Sequence, residues 1–568
     1  MARVFIDLSA AMSFYALVCA EKRLANCIRQ ARSRRGWTQY EFASQIDTSI
    51  GLVRRIERGG SSVSLLIVMR GALHLGLLRE FNRLLAIRHR QYRNWRGHSG
   101  HSTPRPAVVA APAQATVDVV AMPENPQQLS HEPQARLLDH LAVYLGQTSL
   151  ALGSLNVYTQ NDEVHSEFTY DKGWVNSPRY FPVSPDLAHT AAPQRFTPRQ
   201  GEDLNVFAAL AETAPSGFGL QVMSKATECG LLAASHGESR AVRAVERLKA
   251  VPNVARLGAL RLVSSGESPE ELPHARRTLP RESDLPSLAA AVHALEGGAV
   301  SSAQLQLLMT SATALGGSRP KVTWLGKDND LCVAKLPKRF GDALSNRSEA
   351  LAMSLAEMAG IDCVAVTLRH SPSGPFLIAP RFDREGEGKR KHVLSARGML
   401  LANECDVISP LELLGVMRER CLDFSSDARE LWQRLLFMCL IRQPGDELRK
   451  ISFVYAGNGL WRLAPAYGLR LHSFSMQSLK AQQAAGSGLE MRLLPLMKGS
   501  SAFGMEPKQA LDQLRRQLNV LARWRDQAAQ LSVGMSQFDM AQFQHAMSQT
   551  AVEGASLAAK CWRELDLS

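Results

Sequence analysis

Apolar residues recur every three or four positions near the start of the chain, as they do along one face of a helix. In ANCIRQARSRRGW, residues 25–37, arginines occupy many of the remaining positions, and Gly36 ends the predicted helix. Thr38 follows with Glu41 three residues later, which is the spacing of a capping box at the start of a second helix. Ser49 is placed to cap a third helix. The pattern predicts short helices joined by tight turns.

A mixed pattern replaces this helical one from about residue 134. LLDHLAVYLGQTSLALGSLNV and EFTYDKGWV predict short strands, and FAALAETAPSGFGLQVM predicts a helix, a turn and a second helix. LCVAKLP alternates as a strand that carries Lys335, and NRSEALAMSLAEMAGI predicts a helix that carries Glu349. Further on, LWQRLLF suits a buried helix and EPKQALDQLRRQLNVLARWRDQAAQLS suits the helical end of a lobe. The larger part of the chain is therefore predicted to be an α+β body.

The length and a change of composition indicate several domains. A chain of 568 residues suggests three or four at about 150 residues each. Residues 97–135 are rich in Pro, Ala and Ser, as flexible linkers are. The expected divisions are an N-terminal extension (1–24), an all-α domain with a basic helical tail (25–96), the linker (97–135), a first subdomain of the body (136–300), its central core (301–400) and a helical C-terminal lobe (401–568).

Nearly all the net charge of +13 lies at one end of the chain. Residues 1–96 contain 17 Lys and Arg against 6 Asp and Glu, so they carry +11 and leave +2 for the rest. Such a block favours a polyanion, because binding to phosphates releases their condensed counterions. Nucleic acid is the leading candidate partner, and an anionic membrane surface is the alternative.

The nine cysteines are dispersed and show no CxxC spacing. An odd number of scattered thiols argues for a reducing cytoplasm and against a disulfide framework or a zinc site. No run of 18 or more uninterrupted apolar residues occurs, so no membrane span is expected. The sequence therefore predicts a cytoplasmic protein with no metal held by cysteines.

The N-terminal pattern R-x-x-R-G-W-T-Q-x-x-F-A, followed by R-I-E-R-G, resembles the helix-turn-helix of Cro and repressor proteins, the XRE class that includes HipB-like antitoxins. The resemblance covers about 55 residues and implies binding to double-stranded DNA by a homodimer, because such modules bind two half-sites about one helical turn apart. The residues that it places against DNA are Gln39, Thr48, Ser49, Gly51, Leu52, Arg54 and Arg55. A basic helical bundle that binds a protein is the alternative interpretation.

Four motifs in order resemble those of the HipA family of serine/threonine kinases. They are G-G-S-x-P-K beginning at Gly316, V-A-K ending at Lys335, N-x-x-E ending at Glu349, and R-F-D-R, expected on a strand, beginning at Arg381. The resemblance implies a two-lobed, protein-kinase-like fold over about residues 135–568. It also implies that Gly316, Gly317, Ser318, Lys335 and Glu349 bind ATP, with or without Mg²⁺, although an isolated lysine or glutamate of this kind is usually a surface residue.

The same resemblance shows what this chain lacks. Aligned from Phe437 to Phe453, the catalytic base falls on Gly445 with Asp446 beside it, and one metal ligand falls on Lys450. The second metal ligand falls on Gly468. Phosphoryl transfer depends on positioning and on neutralising the phosphate charge, so these changes predict a pseudokinase. Lys450 offers its own charge to a nucleotide in place of the metal.

Two functions follow. The first is a DNA-binding transcription regulator, related to toxin–antitoxin systems, with a catalytically silent HipA-like body. The alternative is an active serine/threonine-kinase toxin tethered to its own antitoxin-like DNA-binding domain, acting on a protein substrate such as an aminoacyl-tRNA synthetase or on its own Ser318.

Overall fold

The computed structural model describes a short part of the N-terminal region and most of the chain beyond it. The described residues are 28–45, 53, 57, 135–147, 150–160, 163–196, 206–232, 240–267, 278–327, 329–338, 344–386, 389–402, 409–443, 450–472, 489–530 and 532–564. They fall into two units, one within residues 16–135 and the other beginning at Arg136, where the predicted linker ends.

The first unit begins with the two predicted helices. Residues 28–34 are helical, and Gly36 adopts a φ of 71°, a left-handed conformation that ends the helix. Helix α1 follows at Gln39–Gln45. The Thr38 hydroxyl accepts from the Glu41 N–H at 3.2 Å, and the Glu41 carboxylate accepts from the Thr38 N–H at 2.6 Å. The predicted capping box is thereby confirmed.

A buried glutamate ties this unit together. Glu57 is 5% exposed, and its carboxylate accepts from Arg32 Nε at 2.5 Å and from Gln39 Nε2 at 2.8 Å. Because a buried charge is costly unless it is paired, these bonds fix the first two helices against the segment that contains Glu57. Four apolar residues complete the described core: Ile28, Phe42, Ala43 and Val53.

The second unit begins with a five-stranded antiparallel sheet of order β4-β3-β2-β1-β5. Its strands are β1 (Arg136–Leu145), β2 (Ala151–Gln160), β3 (Glu163–Tyr170), β4 (Gln194–Arg195) and β5 (Leu260–Ser264). The strands predicted here are present, and two of them are longer than expected, at 10 residues each. A register shift between Val143 and Tyr144 interrupts the β1–β2 ladder, which continues on both sides of it.

A second sheet of order β6-β7-β9-β8 lies in the middle of the body. Its strands are β6 (Lys321–Leu325), β7 (Leu331–Lys335), β8 (Thr367–Arg369) and β9 (Phe376–Pro380). In the antiparallel β6–β7 pair, Lys321 lies directly opposite Lys335. Phe218, Leu288, Trp324 and Phe376 belong to one buried cluster, so the core of this sheet draws on residues from both sides of position 300.

The remaining strands form a small sheet and a ribbon, and helices make up the rest. The strands are β10 (Arg384–Glu385), β11 (Lys389–Arg390), β12 (Val393–Ser395), β13 (Ser452–Gly457) and β14 (Leu460–Leu463), with the sheet order β12-β13-β14. The helices are α2 (Lys172–Val175), α3 (Ala208–Ala211), α4 (Phe218–Glu228), α5 (Arg240–Lys249), α6 (Leu285–Glu296), α7 (Ser302–Ala312), α8 (Ser345–Met358), α9 (Ala396–Leu400), α10 (Pro410–Arg420), α11 (Phe424–Leu440), α12 (Leu489–Lys498), α13 (Pro507–Ala522), α14 (Trp524–Ala529) and α15 (Gln537–Glu564). None of the helices described has both the length and the apolar character needed to cross a membrane.

Helix α11 is the predicted buried helix of the C-terminal lobe. Asp423 caps its first turn by accepting from the Ser426 N–H at 3.0 Å. Leu431, Trp432, Leu436 and other residues on its several faces are buried. Residues 434–440 of the helix are buried on every side, so this half of α11 lies inside the lobe, where α10, α12 and α13 pack against the helix.

The R-F-D-R motif was predicted to lie on a strand, and this prediction is wrong for its first three residues. Strand β9 ends at Pro380, Arg381–Asp383 form the turn that follows, and Arg384 begins β10. The side chain of Asp383 accepts from Arg381 Nη2 at 2.5 Å, from Arg384 Nη1 at 2.6 Å and from the Gly258 N–H at 2.8 Å. The backbone turns away from the sheet so that this buried carboxylate can join the second sheet to the loop before β5.

We expect Asp383→Asn to destabilise the body severely. Although burial alone raises the pKa of Asp383, Arg381 and Arg384 lower it well below the usual range, so the neutral variant removes the negative charge to which both buried guanidinium groups are bonded. Breaking such a buried pair costs about 3–5 kcal/mol in unfolding free energy. Urea unfolding followed by circular dichroism measures the loss, and Glu385→Gln, at an exposed neighbouring position, is the control. Equal midpoints for the two variants would contradict the assigned role.

Candidate functional site

An ion pair between β7 and α8 lies at the centre of the site. Lys335, the last residue of β7, donates through Nζ to Glu349 Oε1 in the second turn of α8. The Glu349 side chain is 2% exposed and that of Lys335 is 18% exposed. Burial by itself raises the pKa of Glu349, but the charges of Lys335 and Arg319 offset this and hold it at about 2. Lys335 thus lies on the predicted strand and Glu349 on the predicted helix, and their binding to a nucleotide stays a prediction.

The second oxygen of Glu349 is bound by a residue that the sequence did not indicate. Arg319 donates through Nη1 to Glu349 Oε2 and through Nη2 to Asn346 Oδ1. The Asn346 amide in turn donates to the carbonyls of Lys335 at 3.0 Å and Pro375 at 2.8 Å. Both oxygens of the carboxylate are therefore committed to cations, and Asn346 fixes the helix to the sheet beside them.

The loop of Gly316, Gly317 and Ser318 lies next to this pair, because Arg319 follows it directly. Gly317 has a φ of 96°, and a Cβ atom there would lie 2.8 Å from Lys321 Nζ, so glycine is required on both counts. Lys321 Nζ donates to the Gly316 carbonyl, and the Phe218 N–H at the start of α4 donates to the Gly317 carbonyl at 2.9 Å. Ser318 is exposed on the loop.

Two residues predicted at the metal-ligand positions meet at the same place. Lys450 Nζ donates to the Gly468 carbonyl at 2.5 Å. A Cβ atom on Gly468 would lie 3.9 Å from Lys335 Nζ and 3.9 Å from Lys450 Cδ. The structure thus brings together Lys335, Lys450 and Gly468, with an ammonium group where the family resemblance expects acidic or amide ligands.

Arg470 adds a further cation to this region. Its Nη1 donates to Ser345 Oγ at 2.7 Å, which anchors it to the start of α8. Its charge contributes to lowering the pKa of Lys335 and of Lys450. Burial, with the nearby Arg470 and Lys450, lowers the pKa of His472 to about 4, so this imidazole is neutral near pH 7. Arg470 was not predicted as a site residue, since no local motif marks it.

Among the described residues, the site is a cluster of five basic side chains around one carboxylate. The cation cluster consists of Arg319, Lys321, Lys335, Lys450 and Arg470, and the carboxylate is Glu349. Burial and the neighbouring cations lower the pKa of Lys321 to about 7, and burial, with Lys335 and the two arginines, lowers that of Lys450 to about 8. Like charges opposite each other in a β-ladder repel, as Lys321 and Lys335 do. The arrangement is short of negative charge.

The described residues of the cluster suit an anion and do not suit Mg²⁺. Magnesium takes oxygen ligands in a near-octahedral arrangement. No group of three or more His, Cys, Asp or Glu side chains in the described part of the chain is arranged to hold a metal ion. Glu349 has no free oxygen, and Lys450 and Gly468 supply no carboxylate.

The remaining predicted site residues are placed only in part. Gly445 and Asp446 of the catalytic loop lie outside the described residues. So do Thr48, Ser49, Gly51, Leu52, Arg54 and Arg55 of the proposed DNA-reading helix. Gln39 is described, and its side-chain amide donates to Glu57 inside the small unit. Its contact with DNA stays a prediction.

The body carries a recognisable domain. Residues 313–547 match the family model of the HipA-like C-terminal domain. That stretch is therefore similar to HipA-like C-terminal domains, and it contains every member of the cation cluster.

Two solved structures are similar to this chain at low identity. The HipA, HipB and operator DNA complex of the Shewanella oneidensis MR-1 toxin–antitoxin system contains a chain that is 16% identical, with 74% of this chain and 97% of that chain covered and a TM-score of 0.48. The Helicobacter pylori proinflammatory kinase CtkA is 13% identical, with 44% and 94% covered and a TM-score of 0.33. No curated protein matches the chain.

We expect Lys321 to react with an amine-selective acylating reagent near neutral pH. With a pKa of about 7, roughly three quarters of its side chain is neutral at pH 7.5, whereas an ordinary lysine with a pKa of about 10.4 is about 0.1% neutral. Peptide mapping by mass spectrometry should show Lys321 labelling rising steeply from pH 6 to pH 8. Lys225, whose pKa is raised by its hydrogen bond to Glu228, is the internal control. Equal labelling of both residues across this range would contradict the assignment.

Proposed function

We propose that this chain is a DNA-binding transcription regulator, related to toxin–antitoxin systems, whose HipA-like body is a pseudokinase. The contact of Lys450 with Gly468, beside Lys335, is the observation that supports a silent body. Kinase catalysis relies on Mg²⁺ to bridge and neutralise the phosphates. Here the two positions that resemble its ligands hold an ammonium group and a residue without a side chain.

An active serine/threonine-kinase toxin is the second candidate, and one observation favours it. The Lys335–Glu349 pair, which kinases use to hold the nucleotide phosphates, is intact. In that case the chain phosphorylates a protein substrate, or its own exposed Ser318. The pair alone does not supply metal ligands, so we rank this function second.

The DNA-binding half of the proposal rests on charge and on the repressor-like pattern. Residues 1–96 carry +11, and the capping box that opens α1 has the expected geometry. Double-stranded operator DNA is the proposed ligand, bound by a homodimer, because a repressor-type module addresses two half-sites. A separate antitoxin-like protein is a further proposed partner.

We expect the purified protein to show no phosphoryl transfer from labelled ATP in the presence of Mg²⁺. The reason is that the described residues of the cation cluster do not include the ligands that would place the metal between the phosphates. Autoradiography after incubation, with Lys335→Ala as the blank, measures the transfer. Label on the wild-type protein that disappears in Lys335→Ala would overturn the pseudokinase and establish the second candidate.

We expect Arg54→Ala combined with Arg55→Ala to weaken the binding of the full chain to duplex DNA. If both arginines bind phosphates, the slope of log affinity against log salt should fall by about 0.9 for each phosphate that is no longer neutralised. Fluorescence anisotropy at several salt concentrations measures the affinity and its slope. The matched control, Lys508→Ala with Arg515→Ala, removes the same charge from exposed positions of α13. If both double variants bind alike, these arginines are not the reading residues.

A further inference from the structure

We propose that the cation cluster is a metal-independent binding site for the polyphosphate chain of a nucleotide, in which the Lys450 ammonium group takes the place of the divalent ion. This inference deepens the proposed function and rests on it in one respect, the identification of the body as kinase-like. It departs from the HipA resemblance, which implies a metal-loaded nucleotide.

The position of Lys450 is the first observation that supports a polyphosphate site. Its side chain reaches back to the Gly468 carbonyl at 2.5 Å, and the Cβ position of Gly468 lies 3.9 Å from Lys335 Nζ. The ammonium groups of Lys335 and Lys450 therefore approach the same place from β7 and from the segment before β13. An oxygen-rich anion seated between them bonds to both, and charge-assisted bonds of this kind are the strong ones.

The shortage of negative charge among the described residues of the cation cluster is the second supporting observation. Glu349 is the carboxylate of the cluster, and both of its oxygens are bound, by Lys335 and by Arg319. Lys321 lies across the β6–β7 ladder from Lys335, so protonation of one amine disfavours protonation of the other. A bound polyphosphate offsets this repulsion and favours the protonated form of both amines.

The exposure of the cation cluster to solvent is the third supporting observation. The side chains of Arg319 and Lys335 are 22% and 18% exposed, so the cluster is partly open to solvent. The loop at Gly316 and Gly317 closes one side, where glycines allow the close approach of backbone and ligand. A small inorganic anion binds only some of the side chains of the cation cluster, whereas a chain of two or three phosphates spans the cluster.

A divalent ion opposes binding at such a site. Mg²⁺ neutralises the phosphate charges that the five cations would otherwise contact, and the same cations repel the metal. We therefore expect free ATP to bind more tightly than Mg–ATP. In metal-loaded kinase sites the order is the reverse, because the metal bridges the phosphates to protein carboxylates.

Titration calorimetry on the full chain tests the proposal, with ATP in EDTA compared with ATP in excess Mg²⁺. We expect binding in EDTA and affinity lower by about tenfold or more in excess Mg²⁺. Inorganic triphosphate should compete with ATP, since phosphates supply the contacts. A requirement for Mg²⁺, or competition by adenosine as strong as that by ATP, would overturn the proposal.

Three variants make the test specific. Lys450→Met keeps the length of the side chain and removes its charge, so metal-free affinity should fall by about tenfold or more. Lys450→Asn combined with Gly468→Asp restores the ligand types of the family. Aspartate is one of the residues that tolerate the φ of 68° at position 468. This variant should bind ATP better with Mg²⁺ than without. Lys508→Met, which removes a charge from an exposed position of α13, should leave metal-free binding unchanged.

A second readout guards against misfolding of the variants. Saturating ATP in EDTA should slow the acylation of Lys321 in the wild type and in Lys508→Met, because a bound anion raises the pKa of the amine and covers it. The circular dichroism spectrum of each variant confirms that it is folded. An unchanged ATP affinity in folded Lys450→Met would reject the role of the lysine.

The outcomes also separate this inference from the proposed function. Metal-free ATP binding together with magnesium-dependent label transfer leaves the inference standing and overturns the pseudokinase. Strictly magnesium-dependent binding without any label transfer overturns the inference and leaves the pseudokinase standing.

Discussion

The buried carboxylate of Glu349 is the constraint on which the site depends. One carboxylate in the second turn of α8 bonds to Lys335 at the end of β7 and to Arg319 after the glycine loop. A charge this deeply buried persists only if it is paired, so the helix, the strand and the loop are held in one arrangement. The cations that stabilise it also create the excess positive charge beside it.

That excess explains why the site differs from a metal-dependent one. Once both oxygens of Glu349 are bound to cations, a divalent ion needs carboxylates from elsewhere, and Lys450 and Gly468 do not provide them. A lysine at this point has two effects. It removes a ligand and it supplies a charge of the sign that the metal would have brought. The chemistry that remains favours holding an anion over transferring a phosphoryl group.

Much of the body could be predicted from local sequence, because the spacing of apolar residues and the presence of helix-capping residues indicate local structure. The alternation of LCVAKLP placed Lys335 on β7, and the helical spacing of NRSEALAMSLAEM placed Glu349 on α8. The turn formed by Arg381–Asp383 was missed because FLIAPRFDRE alternates beyond the point where the ladder ends. Arg319, Lys321 and Arg470 were missed because their roles arise from strand register and from contacts between distant segments, which no local pattern encodes.

The close approach of two glycines links the site to the interior of the body. A side chain on Gly217 would place its Cβ 2.9 Å from the Ser318 nitrogen, and the next residue, Phe218, both bonds to the Gly317 carbonyl and packs in the core of the second sheet. Because the two backbones approach each other so closely, we expect the loop and the start of α4 to move together. A displacement of the loop would therefore also displace the aromatic ring of Phe218, so the start of α4 couples the site to the core of the second sheet.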